Sequence, residues 1–404
     1  MGTVSVAEPA CVVASGHAGG SRYTTPMDFL ELRAAIPATS SMTYLNTGWA
    51  GPSPTRVIER MRAVAEHEST LGPAGPDGLA YGREIEAEAK AGVGKLLNVS
   101  PSDVLLTHGT TEGVNVVLQG LAWEPGDALV ISDLEHPGLK APSAVVEEQC
   151  GAAIARAVVP PNASVDQALT AIKHAITPTT KLVAISHVMF TTGLRLPADE
   201  IVRMAHDAGA LVLFDGAQTG GHIALDLTAM GVDFYTISGQ KWLMGPTGSG
   251  ALYVNPASAS NLTPLFTRAG LDSRTGLAMH SLASLGVVDR AGFAEALAIH
   301  DELGDHAVEQ RTHALGTRLR GGMTAIDGVS INGPTSGETA TAITAITVEG
   351  WEPEPMFEAL WAQHRVAARN VAYPPGLRFC TGPFNNEDDV DTAVAAVRTL
   401  AGNR

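Results

Sequence analysis

From about residue 40 to residue 290, short apolar runs alternate with segments of helical periodicity, and this alternation constrains the fold more than any other feature of the chain. Runs at 103–107, 128–132, 181–187, 210–215, 234–238 and 250–254 read as strands. Between two of them, the segment 198–209 puts Ile201, Met204, Ala205 and Ala208 on one face and closes on Gly209, a natural helix stop. Repetition of that unit predicts an α/β architecture in which a mostly parallel sheet is covered by helices. After residue 290 the texture changes to a long helical stretch through 319, a strand at 341–348, a last strand at 377–380 and a helix from Glu387. The expected organisation is a flexible N-terminal arm over 1–25, a large domain over 26–290 and a smaller C-terminal α/β domain over 291–404. A chain of 404 residues has ample length for two such cores.

The polar residues at the strand ends carry the chemistry. Asp215, in Asp215-Gly-Ala-Gln218, closes the run 210–214, and Lys241, in Ser238-Gly-Gln-Lys241, follows the run 234–237. A carboxylate and an amine at neighbouring strand ends suit pyridoxal phosphate (PLP), which needs a lysine for its aldehyde carbon and a carboxylate for its pyridinium nitrogen. Taken singly, Asp215 would cap a turn and Lys241 would be a solvated amine. Thr110 and Thr111, in Gly109-Thr-Thr-Glu112, open an amphipathic helix whose free N–H groups and dipole offer a phosphate site, although Thr110 would serve equally as an ordinary helix cap. His136 follows the run 128–132, where its ring would stack on a flat heterocycle or be an incidental loop residue. His187, Thr191 and Thr192 end another strand as polar candidates, and Asn46 and Trp49 sit on a Gly/Pro-rich turn, where they would line the mouth of a substrate pocket or only shape the turn. Arg378 lies inside an apolar strand, where its charge needs a partner. Either a substrate carboxylate held bidentately or an internal bridge to the acids of 387–391 would supply one.

Composition narrows the partners. A net charge of −16 argues against nucleic acid or an anionic membrane surface. Cys11, Cys150 and Cys380 have neither disulfide nor metal-ligand spacing, which fits a reducing cytoplasm and no metal. The first 25 residues lack the basic start and long apolar core of an export signal, and no run has the roughly 18 apolar residues of a membrane span.

From Tyr44 to the C-terminus the chain resembles the class V, fold-type I PLP enzymes, the group of cysteine desulfurases, selenocysteine lyases, kynureninases and isopenicillin N epimerases. Tyr44-Leu-Asn-Thr-Gly48, Gly109-Thr-Thr-Glu112, Glu135-His136, Ser186-His187-Val188, Asp215-Gly-Ala-Gln218, Lys241-Trp-Leu-Met-Gly-Pro-Thr-Gly248 and Arg378 match in order. The resemblance implies a large domain with a mostly parallel seven-stranded sheet and a smaller C-terminal α/β domain. It makes Lys241 the Schiff-base lysine, Asp215 the pyridinium partner, Gln218 a donor to the ring oxygen and His136 the stacking ring. Ser238, Gln240 and Thr111 fall at the phosphate. Ala217 would pack on the opposite ring face, and Arg378 would take the substrate carboxylate. Ser284 falls where the family has a threonine that reaches the neighbouring subunit's phosphate, which implies a homodimer with shared active sites.

Two departures bear on the reaction. Phe190 stands where desulfurases have an asparagine, and the stretch from His364 to Leu377 has no cysteine where they carry a nucleophile. The Asn-Thr-Gly start and the Ser-His-Val-x-x-x-Thr-Gly segment look closest to isopenicillin N epimerases and to carbon–sulfur lyases of thiol and antibiotic biosynthesis. The resemblance therefore implies a PLP enzyme acting on an amino acid, with β-elimination from a cysteine S-conjugate favoured. Epimerisation, with His136 or His187 as a second acid/base, decarboxylating deamination and transamination are the alternatives, and a non-catalytic binding role comes last.

Overall fold

The structure, a computed structural model, describes residues 26–266, 274–281 and 285–402. The arm expected over 1–25 and the expected phosphate contact Ser284 lie outside the described residues.

A short strand β1 (Thr43–Tyr44) precedes the main sheet. That sheet comprises β2 (Val104–Thr107), β3 (Ala128–Ser132), β4 (Ala153–Ala157), β5 (Thr180–Ser186), β6 (Leu211–Gly216), β7 (Phe234–Ser238) and β8 (Gly250–Val254). Its order is β2-β8-β7-β6-β5-β3-β4, parallel except where β8 runs antiparallel to β7 and β2. The mostly parallel seven-stranded sheet is therefore as expected, and it includes one strand the periodicity did not reveal. β4 pairs only with β3, and its Ala153 and Arg156 are exposed or half-exposed, so it carries no continuous apolar run. The strands β3, β7 and β8 are buried at every position, as strands covered on both faces must be.

Helices supply the covers. Thr110–Gly120 lays Val114, Val117 and Leu118 on one face. On the other face, Pro76–Leu97 and Val287–Leu303 bring Ala89, Val93, Leu97, Phe293 and Leu297. The helix Ala198–Asp207 buries Ile201, Val202 and Ala205 and stops at Gly209, whose φ of 81° is one that glycine adopts freely.

Beyond this layer, β9 (Val329–Ile331), β10 (Ile343–Val348), β11 (Val366–Ala367), β12 (Arg369–Ala372) and β13 (Pro375–Cys380) follow. Four of them form an antiparallel sheet in the order β12-β13-β10-β9, backed by the helices Asp305–Thr324 and Glu387–Gly402. The parallel pairing of β1 with β11 and the bridge of Asn46 to Cys380 tie residues 43–46 to this C-terminal sheet. The division drawn at residue 290 falls inside the helix Val287–Leu303. Among the described residues no helix is long and apolar enough to cross a membrane, and no cluster of potential metal ligands occurs.

Candidate active site

Register brings the strand-end residues together. Ser186 on β5 pairs with Asp215 on β6, and Gly216 pairs with Ile237 on β7, so Asp215 and the turn carrying Lys241 emerge side by side at the carboxyl ends of the parallel strands. They line a cleft of about 350 Å³ together with Thr110, Thr111, His136 and Arg378. Asp215 is buried, and its Oδ1 accepts the Ala217 N–H at 2.9 Å. Burial raises its pKa above the ordinary carboxylate value, with Lys241 acting in the opposite sense. Burial likewise draws the Lys241 amine down to about 8, although Asp215 opposes the shift. Each group thus stabilises the charged form of the other in a site that disfavours both.

The helix Thr110–Gly120 points its N-terminus at the same cleft. Its cap is Gly109, at φ 149°, and makes no side-chain cap bond. Glu112 closes the turn instead, accepting from the His108 N–H at 2.8 Å and meeting the His108 ring at 2.7 Å. Thr110 is therefore not the cap, and both threonines line the cleft beside the first turn's N–H groups. Ser238 Oγ donates to Gln240 Oε1 at 2.8 Å, so these residues also face the cleft as a linked pair. A Cβ on Gly138 would come within 2.6 Å of Thr111 Oγ1, which shows how closely the His136 turn approaches this helix start.

His136 is itself a cap. Its Nδ1 accepts the Gly138 N–H at 2.9 Å, which puts the ring proton on Nε2, and burial lowers its pKa to about 4. Its ring meets Phe190 edge to face at 4.9 Å. Gln218 is held at both ends: Nε2 donates to the Gly48 carbonyl at 2.8 Å, and Oε1 accepts the Trp242 indole N–H at 2.9 Å. Trp242 stacks at 3.8 Å on His222, whose Nδ1 donates to the Gln218 carbonyl and whose Nε2 accepts the Ala342 N–H. The Gln218 amide orientation is thereby fixed, because an indole only donates.

The far wall comes from the hairpin β12–β13. Arg378 is 2% exposed; Nη1 donates to the Phe190 carbonyl at 2.8 Å and Nη2 to Asn46 Oδ1 at 3.3 Å, while Nε has no hydrogen-bond partner. The internal bridge weighed for it does not form, since Asp389 pairs with Arg33 and Asp391 with Arg318, each at 2.7 Å. Trp49 lies at the mouth, 56% exposed, with the Arg369 guanidinium 3.5 Å from its ring centroid.

The site thus gathers Lys241, Asp215, His136, Thr110, Thr111, Gln218, Ser238, Gln240, Arg378 and Trp49, and Asn46 reaches it through Arg378. His187 is not among them. Its Nδ1 bonds the Tyr235 hydroxyl at 2.8 Å, inside the protein, and Thr191 and Thr192 are also buried away from the cleft, which Phe190 lines. Three residues have no role in the sequence reading: Arg369, and Trp242 and Glu135, which enter it only as motif members. Glu135 is buried behind Asp215, accepting from Ser132 Oγ and the Ser186 N–H, and burial raises it to about 7. Its adjacency to His136 was the available signal.

The donor set fits a PLP molecule: an amine and a buried carboxylate face each other, with hydroxyls and a helix start at one end and an arginine at the other. Residues 44–397 match the family model described as aminotransferase class-V. A probable cysteine desulfurase of Mycolicibacterium paratuberculosis is 32% identical over 86% of this chain, which spans about half, 54%, of that relative's length. The isopenicillin N epimerase of Streptomyces clavuligerus is 28% identical over 93% of this chain and 99% of its own. Among solved structures, the cystine C–S lyase C-DES in complex with its reaction product cysteine persulfide superposes with a TM-score of 0.84 at 25% identity, covering 91% of this chain and 99% of that one. A C-DES variant with glycine covalently linked to the PLP cofactor superposes at 0.85 and the same identity, covering 91% and 98%.

Proposed function

The chain belongs to the class-V aminotransferase family of PLP enzymes, and from that membership we propose that it is a carbon–sulfur lyase acting by β-elimination on a cysteine S-conjugate. The net reaction consumes the S-substituted cysteine and water and releases pyruvate, ammonia and the free thiol.

The observation that carries this reading is the Lys241 amine, drawn to about 8 beside the buried Asp215, in a cleft where the His136 ring is neutral with its Nδ1 already engaged. Bound there, PLP supplies an aldehyde carbon and an electron-withdrawing protonated ring. Lys241 would hold the cofactor and, once displaced by the substrate amine, take the Cα proton. Asp215 would keep the ring nitrogen protonated, and Gln218 would present an N–H to the ring oxygen. Thr110, Thr111, Ser238 and Gln240 would hold the phosphate with the helix N-terminus. Arg378 would take the α-carboxylate, its unpartnered Nε giving that anion a donor.

Desulfuration, which leaves alanine, needs a protein thiol to attack the substrate sulfur. Among the described residues Cys150 is half-buried near the end of the helix Pro137–Cys150, and Cys380 is packed under Gly48, where a Cβ would come within 2.7 Å of its sulfur. Inversion at Cα needs a second base, and His136 offers a weak one with its Nδ1 engaged. Epimerisation remains the second reading because the Streptomyces epimerase aligns over nearly its whole length. The family resemblance further supports a homodimer with shared sites, which light scattering on the eluted enzyme tests directly.

The experiment is to incubate the PLP-loaded enzyme with S-substituted L-cysteines in heavy water and identify the products by mass spectrometry. Pyruvate with the released thiol is expected. With unsubstituted L-cysteine in a parallel incubation, alanine with a persulfide would make the chain a desulfurase, and deuterium at an inverted Cα of otherwise intact substrate would make it an epimerase.

A further inference from the structure

The hairpin wall carries two arginines. Arg369 and Arg378 are direct partners in the β12–β13 ladder, so their side chains rise next to each other on one face of the sheet, and both line the cleft. Like charges placed directly opposite one another are destabilising unless an anion lies between or beside them. Neither arginine forms an ion pair among the described residues. Arg369 Nη1 is buried without a hydrogen-bond partner, as is Arg378 Nε. Nearby acids are engaged elsewhere: Glu354 with Asn370, and Glu112 with His108.

The two guanidiniums occupy different depths. Arg378 is almost fully buried and anchored by Phe190 and Asn46, whereas Arg369 is half-buried and lies over the exposed Trp49 ring. Stacking uses a face of the planar guanidinium and leaves its edge, with the N–H fork, open to an anion. Burial and the neighbouring Arg378 hold the Arg369 pKa below its ordinary value, the electrostatic signature of a cation lacking its counterion.

We propose that Arg369, stacked on Trp49, is a specificity-determining residue that binds a second anionic group at the distal end of the substrate's side chain, while Arg378 takes the α-carboxylate. The substrate class is then a cysteine S-conjugate ending in a carboxylate. This inference rests on the amino-acid site proposed above, but not on which bond breaks there.

The test pairs two compounds of nearly equal size, S-carboxymethyl-L-cysteine and S-carbamoylmethyl-L-cysteine, which differ by one negative charge. Binding to the PLP-loaded enzyme is read from the change in cofactor absorbance on mixing, before any product forms. An epimerase or transaminase outcome in the product experiment would therefore leave this measurement intact. The expected result is a preference of at least about tenfold for the carboxymethyl compound, the size of one charge-assisted hydrogen bond. Arg369→Met should reduce that ratio to about one through weaker binding of the carboxymethyl compound, and Arg369→Lys should restore part of it. Equal affinities for the two compounds in the unmodified enzyme would overturn the proposal. So would an Arg369→Met variant that weakens both equally, since Arg369 would then be sharing the α-carboxylate.

Discussion

The two walls of the cleft are built on opposite principles. On the side of the seven-stranded sheet several polar side chains are held by protein partners: Asp215 by the Ala217 N–H, Gln218 by Gly48 and Trp242, His136 by Gly138, and Ser238 by Gln240. On the hairpin side, two arginines stand next to each other with unpartnered nitrogens and no carboxylate. A wall whose side chains are held by the protein can keep one permanent guest in a fixed pose. A wall of unpaired cations gains its counterion when substrate arrives. The difference separates the cofactor half of the site from the substrate half, and substitutions on the two sides should fail differently.

The largest effect belongs to the sheet side. Lys241→Ala removes both the covalent anchor and the proton acceptor, so turnover should fall by about 10⁴-fold or more. The absorbance band of covalently bound PLP should disappear with it. A variant that kept both the band and the activity would sink the assignment of the cofactor half.

Next comes the hairpin side. Arg378→Ala should lower kcat/KM about 10²-fold or more, mainly through KM, while the cofactor absorbance is unchanged. Its thermal midpoint should fall only modestly, because the guanidinium removed has hydrogen bonds to the Phe190 carbonyl and Asn46 but no ion-pair partner. Breaking a buried structural pair would instead cost about 3–5 kcal/mol. Thermal unfolding of the cofactor-free protein thus separates a ligand-seeking arginine from a structural one.

A third experiment reads the balance between Lys241 and Asp215 in the cofactor-free chain. Only the neutral amine attacks an aldehyde, and burial brings the amine down to about 8 from an ordinary 10.5. The rate of covalent PLP capture should therefore rise about tenfold per pH unit below pH 8 and flatten above it. A rate still climbing toward pH 10 would mean that Asp215 fully offsets the burial.

What could be read from the sequence divides along similar lines. The strands β3, β5, β6, β7 and β8 were legible because burial on both faces forces uninterrupted apolar runs, and Asp215 and Lys241 because they lie one and four residues past the end of such runs. The edge strand β4 was not, since its exposed face accepts Arg156 and alanines. His187 was misassigned because position at a strand end does not say which face a side chain takes. It follows Ser186 by one residue and so points the other way, into the packing with Phe214 and Tyr235. Arg369 was missed for a related reason. Its significance lies in ladder register with Arg378, and register is set by a turn and a sheet that no local pattern encodes.

The smallest expected effect tests whether the sheet-side wall is as fixed as its bonding implies. Trp242→Phe keeps most of the ring that stacks on His222 but deletes the one donor to Gln218 Oε1. With that acceptor free, the amide can turn over and present its oxygen rather than its nitrogen to the cofactor's ring oxygen, where two acceptors would repel. The loss of a neutral hydrogen bond is worth about 1 kcal/mol, so PLP affinity should drop about fivefold. The substrate KM should stay close to its original value, since Arg378 and Arg369 lie on the other wall. A KM shift as large as the loss of cofactor affinity would show that the two walls are coupled, and the route is visible: His222 also accepts the N–H of Ala342, the residue before β10, which lies next to β13 in the sheet that carries both arginines.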